Sequence, residues 1–414
     1  MPPEIWSNSK MTTTDPASTN LNLTTPCVAQ EARSLNLFSS TPLIYSIPLS
    51  KLCHPHPVFL KLDLLQPSGS FKDRGMAHLC STANNEHKQR HQKDIVNAPK
   101  IKLIASSGGN AGLGVATVAR SLPTMEVSVV VPETTKPLVI DKLRSLGAEV
   151  TIHGANWNSA DTLARQRVHD IKETGGHAVY VSYQTSFSPF DNPLLWTGHS
   201  TVVDEIISQL LERRTHSPNL NIGAILASVG GGGLLAGILE GIERNYYGDN
   251  DARKNVVRGS KVIACETEGT ASFDASFNAS SPSEILIVRL SGITSVATSL
   301  GCLQVTPAVI ERSHRHQERG KSNGSGEDVL SYVCSDAEAI DACVKFATDH
   351  RMLVEPACGA ALAPLYTDRM RTMLLDELGR NDDDGEKRAI IVEVCGGNGV
   401  DLDILQGWKA KFLG

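Results

Sequence analysis

Three glycine-rich loops, each placed directly after a predicted β-strand, constrain the fold of this chain more than any other feature. They span residues 106–112, 230–233 and 396–399. Around them, short aliphatic and β-branched runs alternate with helical segments, a pattern typical of parallel sheets whose strands are joined by helices. Among these segments, the pattern predicts strands over 178–182 and 224–228 and a helix over 193–213. Because the carboxyl ends of parallel strands lie at one edge of a sheet, we expect an α/β protein with its functional residues at these loops.

The loop at 230–233 consists of four consecutive glycines followed by Leu234. It lacks the Lys-Ser/Thr pair of a nucleotide-binding P-loop, and it lacks the GxGxxG spacing and the acidic ribose partner of a dinucleotide site. Glycines let backbone N–H groups approach an anion closely at the positive end of the following helix. The loop therefore suits a single phosphate monoester.

Lys72 lies in another polar turn, at the predicted start of a helix that we expect Ser70 to cap. A lysine in such a position is usually solvated and has no further role. Together with a phosphate loop, however, it indicates pyridoxal phosphate. The binding site of that cofactor needs a lysine that bonds to the aldehyde, a loop that binds the phosphate and a side chain that faces the ring nitrogen.

Composition and charge narrow the possible partners. The chain of 414 residues has a formal net charge of −6 and no lysine- or arginine-rich stripe, so we expect no nucleic-acid partner. We expect no membrane association, because no apolar stretch approaches the ~18 residues of a membrane span and no secretory signal is recognisable. Nine cysteines without a CxxC motif favour reduced thiols and a cytoplasmic location.

Five motifs together resemble the L-serine dehydratase/L-threonine deaminase family of fold-type II pyridoxal-phosphate enzymes. They are PSGSFKDRG at 67–75, SSGGNAG at 106–112, SVGGGGL at 228–234, VEPACGAA at 354–361 and VCGGN at 394–398. The resemblance runs from about residue 41 to the C-terminus, and the last two motifs indicate the serine dehydratase branch. It implies an α/β fold of two doubly wound open-sheet domains, like that of the tryptophan synthase β subunit.

The resemblance also assigns contacts to the cofactor and the substrate. Lys72 would hold the cofactor aldehyde and act as the catalytic base, with Phe71 against one face of the pyridine ring. Asn110 would hydrogen-bond the 3′-oxygen of the ring, and Cys395 would face the ring nitrogen. The phosphate would lie against the backbone N–H groups of Gly230, Gly231, Gly232, Gly233 and Leu234. The substrate carboxylate would be bound by Ser107, Gly108, Gly109 and Asn110.

A monovalent cation, taken as potassium, is a further implication of the resemblance. One carboxylate and several backbone carbonyls would bind it, at Glu266, Thr270, Leu300 and Cys302. Thr270 departs from the family pattern, which usually has alanine there, but a backbone carbonyl ligand tolerates this change. Oxygen ligands with a single carboxylate suit a large, weakly charged ion better than zinc.

Cys395 leads to a hypothesis about the reaction. A carboxylate at the ring nitrogen would keep the ring protonated and stabilise a long-lived carbanion. A thiol is a weak donor, so the ring should stay largely neutral. A weaker electron sink favours prompt loss of the substrate β-hydroxyl over transamination.

These assignments predict a lyase that converts L-serine to pyruvate and ammonia, and L-threonine to 2-oxobutanoate. A serine racemase or another fold-type II enzyme is the alternative within the same cofactor class. Such racemases commonly carry serine where Cys395 stands and histidine where Ala111 stands. A catalytically inactive pyridoxal-phosphate-binding protein is the alternative from another class, and the intact Lys72, Asn110 and glycine loop argue against it.

The motifs divide the chain into three parts. We expect a flexible N-terminal tail over 1–38, a small domain over 66–183 and a large domain formed by 39–65 plus 184–414. The small domain would carry Lys72 and the substrate loop, and the large domain would carry the phosphate loop, the cation ligands and Cys395. A homodimer is the family expectation, and a small amino acid is the expected substrate.

Overall fold

The computed structural model describes residues 5–6, 29–181, 192–214, 219–324, 328–379 and 387–414. Within these ranges the chain forms two compact units. The large unit comprises residues 5–6, 41–63 and 200–414, and the small unit comprises residues 29–40 and 64–199.

Strands and helices alternate along most of the described chain. The strands are β1 (Ile5–Trp6), β2 (Leu43–Tyr45), β3 (Val58–Lys61), β4 (Ile101–Ala105), β5 (Met125–Val131), β6 (Glu149–Ile152), β7 (Ala178–Val181), β8 (Leu220–Ser228), β9 (Lys261–Thr267), β10 (Ile287–Val288), β11 (Val329–Cys334) and β12 (Lys387–Glu393). The helices are α1 (Gln30–Ser34), α2 (Ile47–Leu52), α3 (Lys72–Arg90), α4 (Asn110–Ala119), α5 (Pro137–Ser145), α6 (Trp157–Glu173), α7 (Pro193–Arg213), α8 (Gly233–Tyr247), α9 (Asp251–Val257), α10 (Ser272–Ala279), α11 (Pro307–Asn323), α12 (Asp336–His350), α13 (Pro356–Tyr366), α14 (Asp368–Leu378) and α15 (Leu402–Phe412). Short 3₁₀ turns form at Asp63–Leu65, Glu268–Thr270 and Thr298–Leu300.

The sheet of the small unit is parallel throughout, with the strand order β6-β5-β4-β7. Its central strands are nearly continuous apolar runs because both of their faces are covered. Ile104 and Val130 pack on one face against α6, whereas Leu103 and Val129 belong to the core that includes α3 and α4. This arrangement confirms the predicted doubly wound sheet for this part of the chain.

The sheet of the large unit has the order β11-β9-β8-β12-β3-β2. β12 pairs in parallel with β8 on one side and with β3 on the other, and central residues such as Ile225 and Ile391 are completely buried. Because β8 and β12 are neighbours, the glycine loops at 230–233 and 396–399 leave the sheet side by side. The α/β fold of two open sheets is therefore confirmed.

The edge strand β2 differs from a purely parallel arrangement, because it runs antiparallel to β3. The helix between them, α2, has only six residues, which is short for the crossover that a parallel return requires. A separate two-stranded antiparallel sheet joins β1 to β10. No helix in the described part of the chain is long and apolar enough to cross a membrane.

Residues 29–38, the last part of the expected flexible tail over 1–38, are folded as part of the small unit. Helix α1 forms before residue 38, and the side chains of Leu37 and Phe38 are buried. The Phe38 ring centroid lies 4.9 Å from Arg33 Cζ and 5.6 Å from Arg74 Cζ. A segment that is polar on average thus packs through its few apolar side chains, whose burial stabilises it.

The two units divide between residues 63 and 64, close to the expected boundary between 65 and 66. They divide again within α7, after His199. The expected boundary at residue 183 lies outside the described residues, as do residues 1–4 and 7–28 of the expected tail.

Candidate active site

The four-glycine loop connects β8 to α8 and is closely packed at Gly230 and Gly232. Gly232 has a φ of +93°, and a Cβ there would lie 2.7 Å from Val309 Cγ1. A Cβ on Gly230 would lie 3.3 Å from the Cα of Leu300. No side chain caps the N-terminus of α8. The loop and the first-turn N–H groups of α8, at Gly233 and Leu234, therefore fit a phosphate group.

Cys395 follows β12 and is 6% exposed, and its thiol is close to the hydroxyl of Ser228 at the end of β8. Hydrogen bonding with the Cys358 thiol, reinforced by burial and by the charge of Glu355, raises the pKa of Cys395 well above its usual range. The Ser228 hydroxyl offsets a part of this pKa shift. Cys395 is therefore a neutral thiol next to the start of the glycine loop, as a weak hydrogen-bond donor to a pyridine nitrogen should be.

Glu355 ties the VEPACGAA motif to the loop that follows Cys395. Its Oε2 accepts a hydrogen bond from the backbone N–H of Gly399 at 3.0 Å. Gly397 has a φ of +130°, and a Cβ on it would lie 2.1 Å from the Glu355 Cδ. Glycine is required at this position because the carboxylate occupies the space that a side chain would fill.

Glu266 is the carboxylate expected to bind a cation, and it is completely buried near the end of β9. Its two oxygens accept hydrogen bonds from the backbone N–H groups of Phe273 at 2.9 Å and Asp274 at 2.8 Å. Burial raises the pKa of Glu266 to about 8, and the hydrogen bonds from Phe273 and Asp274 oppose that rise. A carboxylate in this setting is stabilised in its charged form by a cation.

The other three expected cation ligands lie in the same unit as Glu266. Leu300 belongs to the 3₁₀ turn that packs directly on Gly230, and its carbonyl accepts from the Cys302 N–H at 2.7 Å. The Thr270 hydroxyl is hydrogen-bonded to the Thr267 hydroxyl at 2.8 Å, so its side chain is engaged within its own turn. Among the described residues, no cluster of three or more His, Cys, Asp or Glu side chains is arranged to hold a metal ion. A site at Glu266 would therefore depend on backbone carbonyls.

Lys72 is the first residue of α3, in the small unit. Its Nζ lies 4.4 Å from the centroid of the Phe71 ring. The predicted cap at Ser70 is wrong, because the residue before α3 is Phe71 and no side chain caps the helix. The Asp73 carboxylate instead accepts from the Ser68 N–H at 2.7 Å and holds the preceding turn.

The expected substrate loop, 107–110, lies between β4 and α4. The Ser107 hydroxyl accepts from the Gly109 N–H at 3.3 Å, and Asn110 is the first residue of α4. Gly112 must be glycine, because a Cβ there would lie 1.8 Å from the Ser107 carbonyl oxygen. Two residues further along α4, a Cβ on Gly114 would lie 3.5 Å from the Lys72 Cβ. The structure thus packs the helix that begins at Asn110 against the start of the Lys72 helix.

His199 is a residue near Lys72 that the sequence analysis missed. It is completely buried on α7, with its ring centroid 5.0 Å from that of Phe71. Burial, with a smaller contribution from the charges of Lys72 and Arg74, lowers the pKa of His199 well below its usual range. It is therefore a neutral imidazole against the Phe71 ring. The available signal was a lone histidine in an apolar helix, which does not by itself indicate a site.

The expected site residues thus fall into two groups. Phe71, Lys72 and the loop at 107–110 belong to the small unit. The large unit holds the glycine loop, Cys395 and the expected cation ligands. In the small unit the helix that begins at Asn110 packs on the start of the Lys72 helix, and in the large unit the glycine loop has Leu300 on one of its glycines and Cys395 near its start.

The family model and the curated relatives that match this chain all describe one kind of enzyme. A family model described as pyridoxal-phosphate dependent enzyme matches residues 35–377. The L-serine dehydratase of Dictyostelium discoideum is 35% identical over 376 residues, covering 89% of this chain and 92% of that protein. The L-serine dehydratase/L-threonine deaminase of Mus musculus is 37% identical over 377 residues, covering 91% of this chain and 96% of that protein.

Solved structures give the same result for the fold. The crystal structure of a fungal L-serine ammonia-lyase from Rhizomucor miehei matches with a TM-score of 0.70 and 31% identity, over 91% of this chain and 99% of that chain. Maize serine racemase matches with a TM-score of 0.63 over 94% of this chain and 98% of that chain. At 20% identity, the racemase supports the shared fold alone.

Proposed function

Because the chain belongs to the pyridoxal-phosphate dependent enzymes, in the L-serine dehydratase/L-threonine deaminase family, we propose that it converts L-serine to pyruvate and ammonia. L-Threonine would give 2-oxobutanoate by the same reaction. The observation that carries the proposal is the glycine loop at 230–233 beside the neutral thiol of Cys395, at the ends of two neighbouring strands. These two features suit the phosphate and the ring nitrogen of one cofactor.

The residues of the large unit would hold the cofactor at its two polar ends. Backbone N–H groups of Gly230, Gly231, Gly232, Gly233 and Leu234 would bind the phosphate. Cys395 would face the ring nitrogen without placing a charge there, because its thiol stays protonated. When bound, pyridoxal phosphate supplies an electron sink for the bonds at the substrate Cα.

The residues of the small unit would orient the substrate and move its proton. Lys72 would hold the cofactor aldehyde until substrate arrives, and its free amine would then accept the Cα proton. Ser107, Gly108 and Gly109 would fix the substrate carboxylate, and Asn110 would hydrogen-bond the ring 3′-oxygen. The β-hydroxyl leaves as water, and one water is consumed when ammonia is released, so that serine is balanced by pyruvate plus ammonia.

We also propose a monovalent cation, potassium, at Glu266, Thr270, Leu300 and Cys302. The buried carboxyl group of Glu266 supports this site, because burial raises its pKa to about 8 and a bound cation would hold it in the charged form. The ion would also have a structural role. Because Leu300 packs on Gly230, an ion bound to Leu300 would stabilise the glycine loop. A homodimer and a cytoplasmic location are proposals of the same kind. The dimer follows from the family, and the location is supported by the buried free cysteines of the described chain.

The test is pyruvate release from L-serine by the purified protein, with and without potassium. Lys72→Ala should abolish turnover and the visible absorption of the bound cofactor. Lys88→Ala is the matched control, since Lys88 is exposed on the same helix. Formation of D-serine without pyruvate would favour a racemase. Cofactor absorption without any product from serine or threonine would indicate an inactive cofactor-binding protein.

A further inference from the structure

A buried hydrogen-bond network holds the residue that precedes the expected substrate loop. The Ser106 hydroxyl donates to Asp161 Oδ1 at 2.6 Å, and the Tyr180 hydroxyl donates to the same oxygen. The Ser106 and Tyr180 hydroxyl oxygens are 3.1 Å apart. Ser106 is completely buried and Asp161 is 7% exposed. These three residues come from the end of β4, from α6 and from β7, so the network joins three elements of the small unit.

Arg165 completes the network from the next turn of α6. Its Nε donates to Asp161 Oδ2 at 2.8 Å, and its Cζ lies 4.5 Å from the Tyr180 ring centroid. Both oxygens of Asp161 are therefore satisfied, one by two hydroxyls and the other by a guanidinium. Arg165 is 40% exposed, so the network is buried at Ser106 and reaches the surface at the guanidinium. Three donors restrict the orientation of the Asp161 carboxylate, because losing any one of them would leave a mostly buried acceptor unsatisfied.

The position of the network relates it to substrate binding. Ser106 is adjacent to Ser107, where the loop proposed for the substrate carboxylate begins. At the other end of the loop, Gly112 packs on the Ser107 carbonyl. The backbone of Ser107 is thus confined between the network at Ser106 and the first turn of α4 at Gly112.

We propose that Asp161 is a positioning residue for the substrate carboxylate, acting through Ser106 and Tyr180 on the backbone of 107–110. This inference rests on the proposed function. Asp161 touches neither substrate nor cofactor in this proposal. It fixes the end of β4, so that the backbone N–H groups of 107–110 are aligned before the substrate binds. Less conformational entropy is then lost on binding.

The test compares Asp161→Ala, Asp161→Asn and Tyr180→Phe with the control Asp170→Asn. Asp170 is exposed on the same helix and bonded to Gln166. We expect Asp161→Ala to raise the KM for L-serine by about tenfold with a much smaller change in kcat, because carboxylate alignment is lost while the base is retained. Asp161→Asn keeps an acceptor for Ser106 and should recover part of that loss. Tyr180→Phe should have an intermediate effect.

A second readout does not depend on turnover. Hydrogen exchange of the amides in 107–113 should become faster in Asp161→Ala and stay at the wild-type rate in Asp170→Asn. Faster exchange together with a raised KM supports the proposal. A lowered unfolding temperature with unchanged KM and unchanged loop exchange would show a purely structural role and overturn it. If the wild-type protein releases no pyruvate, the proposed function fails, and the dissociation constant of L-serine for the same variants, measured with the loop exchange, still decides the role of Asp161.

Discussion

Glu355 Oε2 accepts a hydrogen bond from the backbone N–H of Gly399 at 3.0 Å, across 44 positions of the sequence. The contact joins the start of α13 to the loop after β12. The VEPACGAA motif thus meets the loop after β12 both at Gly399, through Glu355, and at the Cys395 thiol, through Cys358. Two motifs that are separate in the sequence are one structural feature.

The first prediction concerns Gly397, whose φ of +130° and close approach to Glu355 exclude a side chain. Gly397→Ala should lower the free energy of unfolding by about 1–3 kcal/mol or more, because backbone strain adds to a collision with the carboxylate. Urea unfolding of the purified protein measures the change. Gly407→Ala is the control, because Gly407 lies on α15 with open space around it, and it should gain about 0.5–1 kcal/mol from helix propensity. Equal stability of the two variants would contradict the close contact.

The second prediction concerns Cys395→Asp. A carboxylate there would keep the ring nitrogen of bound pyridoxal phosphate protonated and make the cofactor a stronger electron sink, which favours transamination. The ratio of pyruvate release to transamination should therefore fall by about tenfold, which corresponds to ~1.4 kcal/mol between the two barriers. The ratio is obtained by quantifying pyridoxamine phosphate by chromatography and comparing its amount with that of the pyruvate released. Cys395→Ser should keep the wild-type ratio, since a hydroxyl is also uncharged. An unchanged ratio in Cys395→Asp would remove the proposed role of the thiol.

The third prediction concerns potassium. Glu266→Gln removes the charge at the proposed cation site, so the potassium concentration for half-maximal activity should rise by about tenfold or more. Pyruvate release measured against potassium chloride at constant ionic strength gives this value. Glu268→Gln is the matched control, because Glu268 is exposed two residues further along. Retention of the wild-type potassium response in Glu266→Gln would place the cation elsewhere.

The fourth prediction concerns acid stability. The buried His316 ring accepts from Arg319 at 2.7 Å through Nδ1 and donates to the Ser260 carbonyl at 3.1 Å through Nε2, so it is neutral in the fold. Burial, with the charge of Arg319, lowers the pKa of His316 from 6.5 to about 3. Below pH 6.5, His316 is protonated in the unfolded chain but stays neutral in the folded chain. The free energy of unfolding therefore decreases as the pH falls towards 3.

Between pH 7 and pH 5, His316 should account for a loss of about 2 kcal/mol. The pH dependence of urea unfolding should therefore be shallower in His316→Gln than in the wild type. The exposed His54 provides the control, and His54→Gln should follow the wild-type slope. The slope is the informative quantity, because the absolute stability of His316→Gln also reflects its lost hydrogen bonds.

Much of the local structure follows from sequence patterns. The predicted helix over 193–213 coincides with α7 (Pro193–Arg213), and the predicted strand over 178–182 corresponds to β7 (Ala178–Val181). The predicted strand over 224–228 covers the second half of β8, whose first half is more polar. The helix cap at Ser70 is wrong because a neighbouring carboxylate, Asp73, holds the turn instead. Local rules therefore succeed where the periodicity is strong and fail where a specific contact competes.

By itself, the sequence determined the alternation of strands and helices, the four-glycine loop and the lysine that together indicate the cofactor. These depend on residues close together in the chain. Only the tertiary structure decided that β12 lies beside β8, that His199 packs on Phe71, and that Asp161 holds Ser106 across 55 positions. Strand order and buried polar contacts result from packing between distant segments, and no local pattern encodes which partners meet.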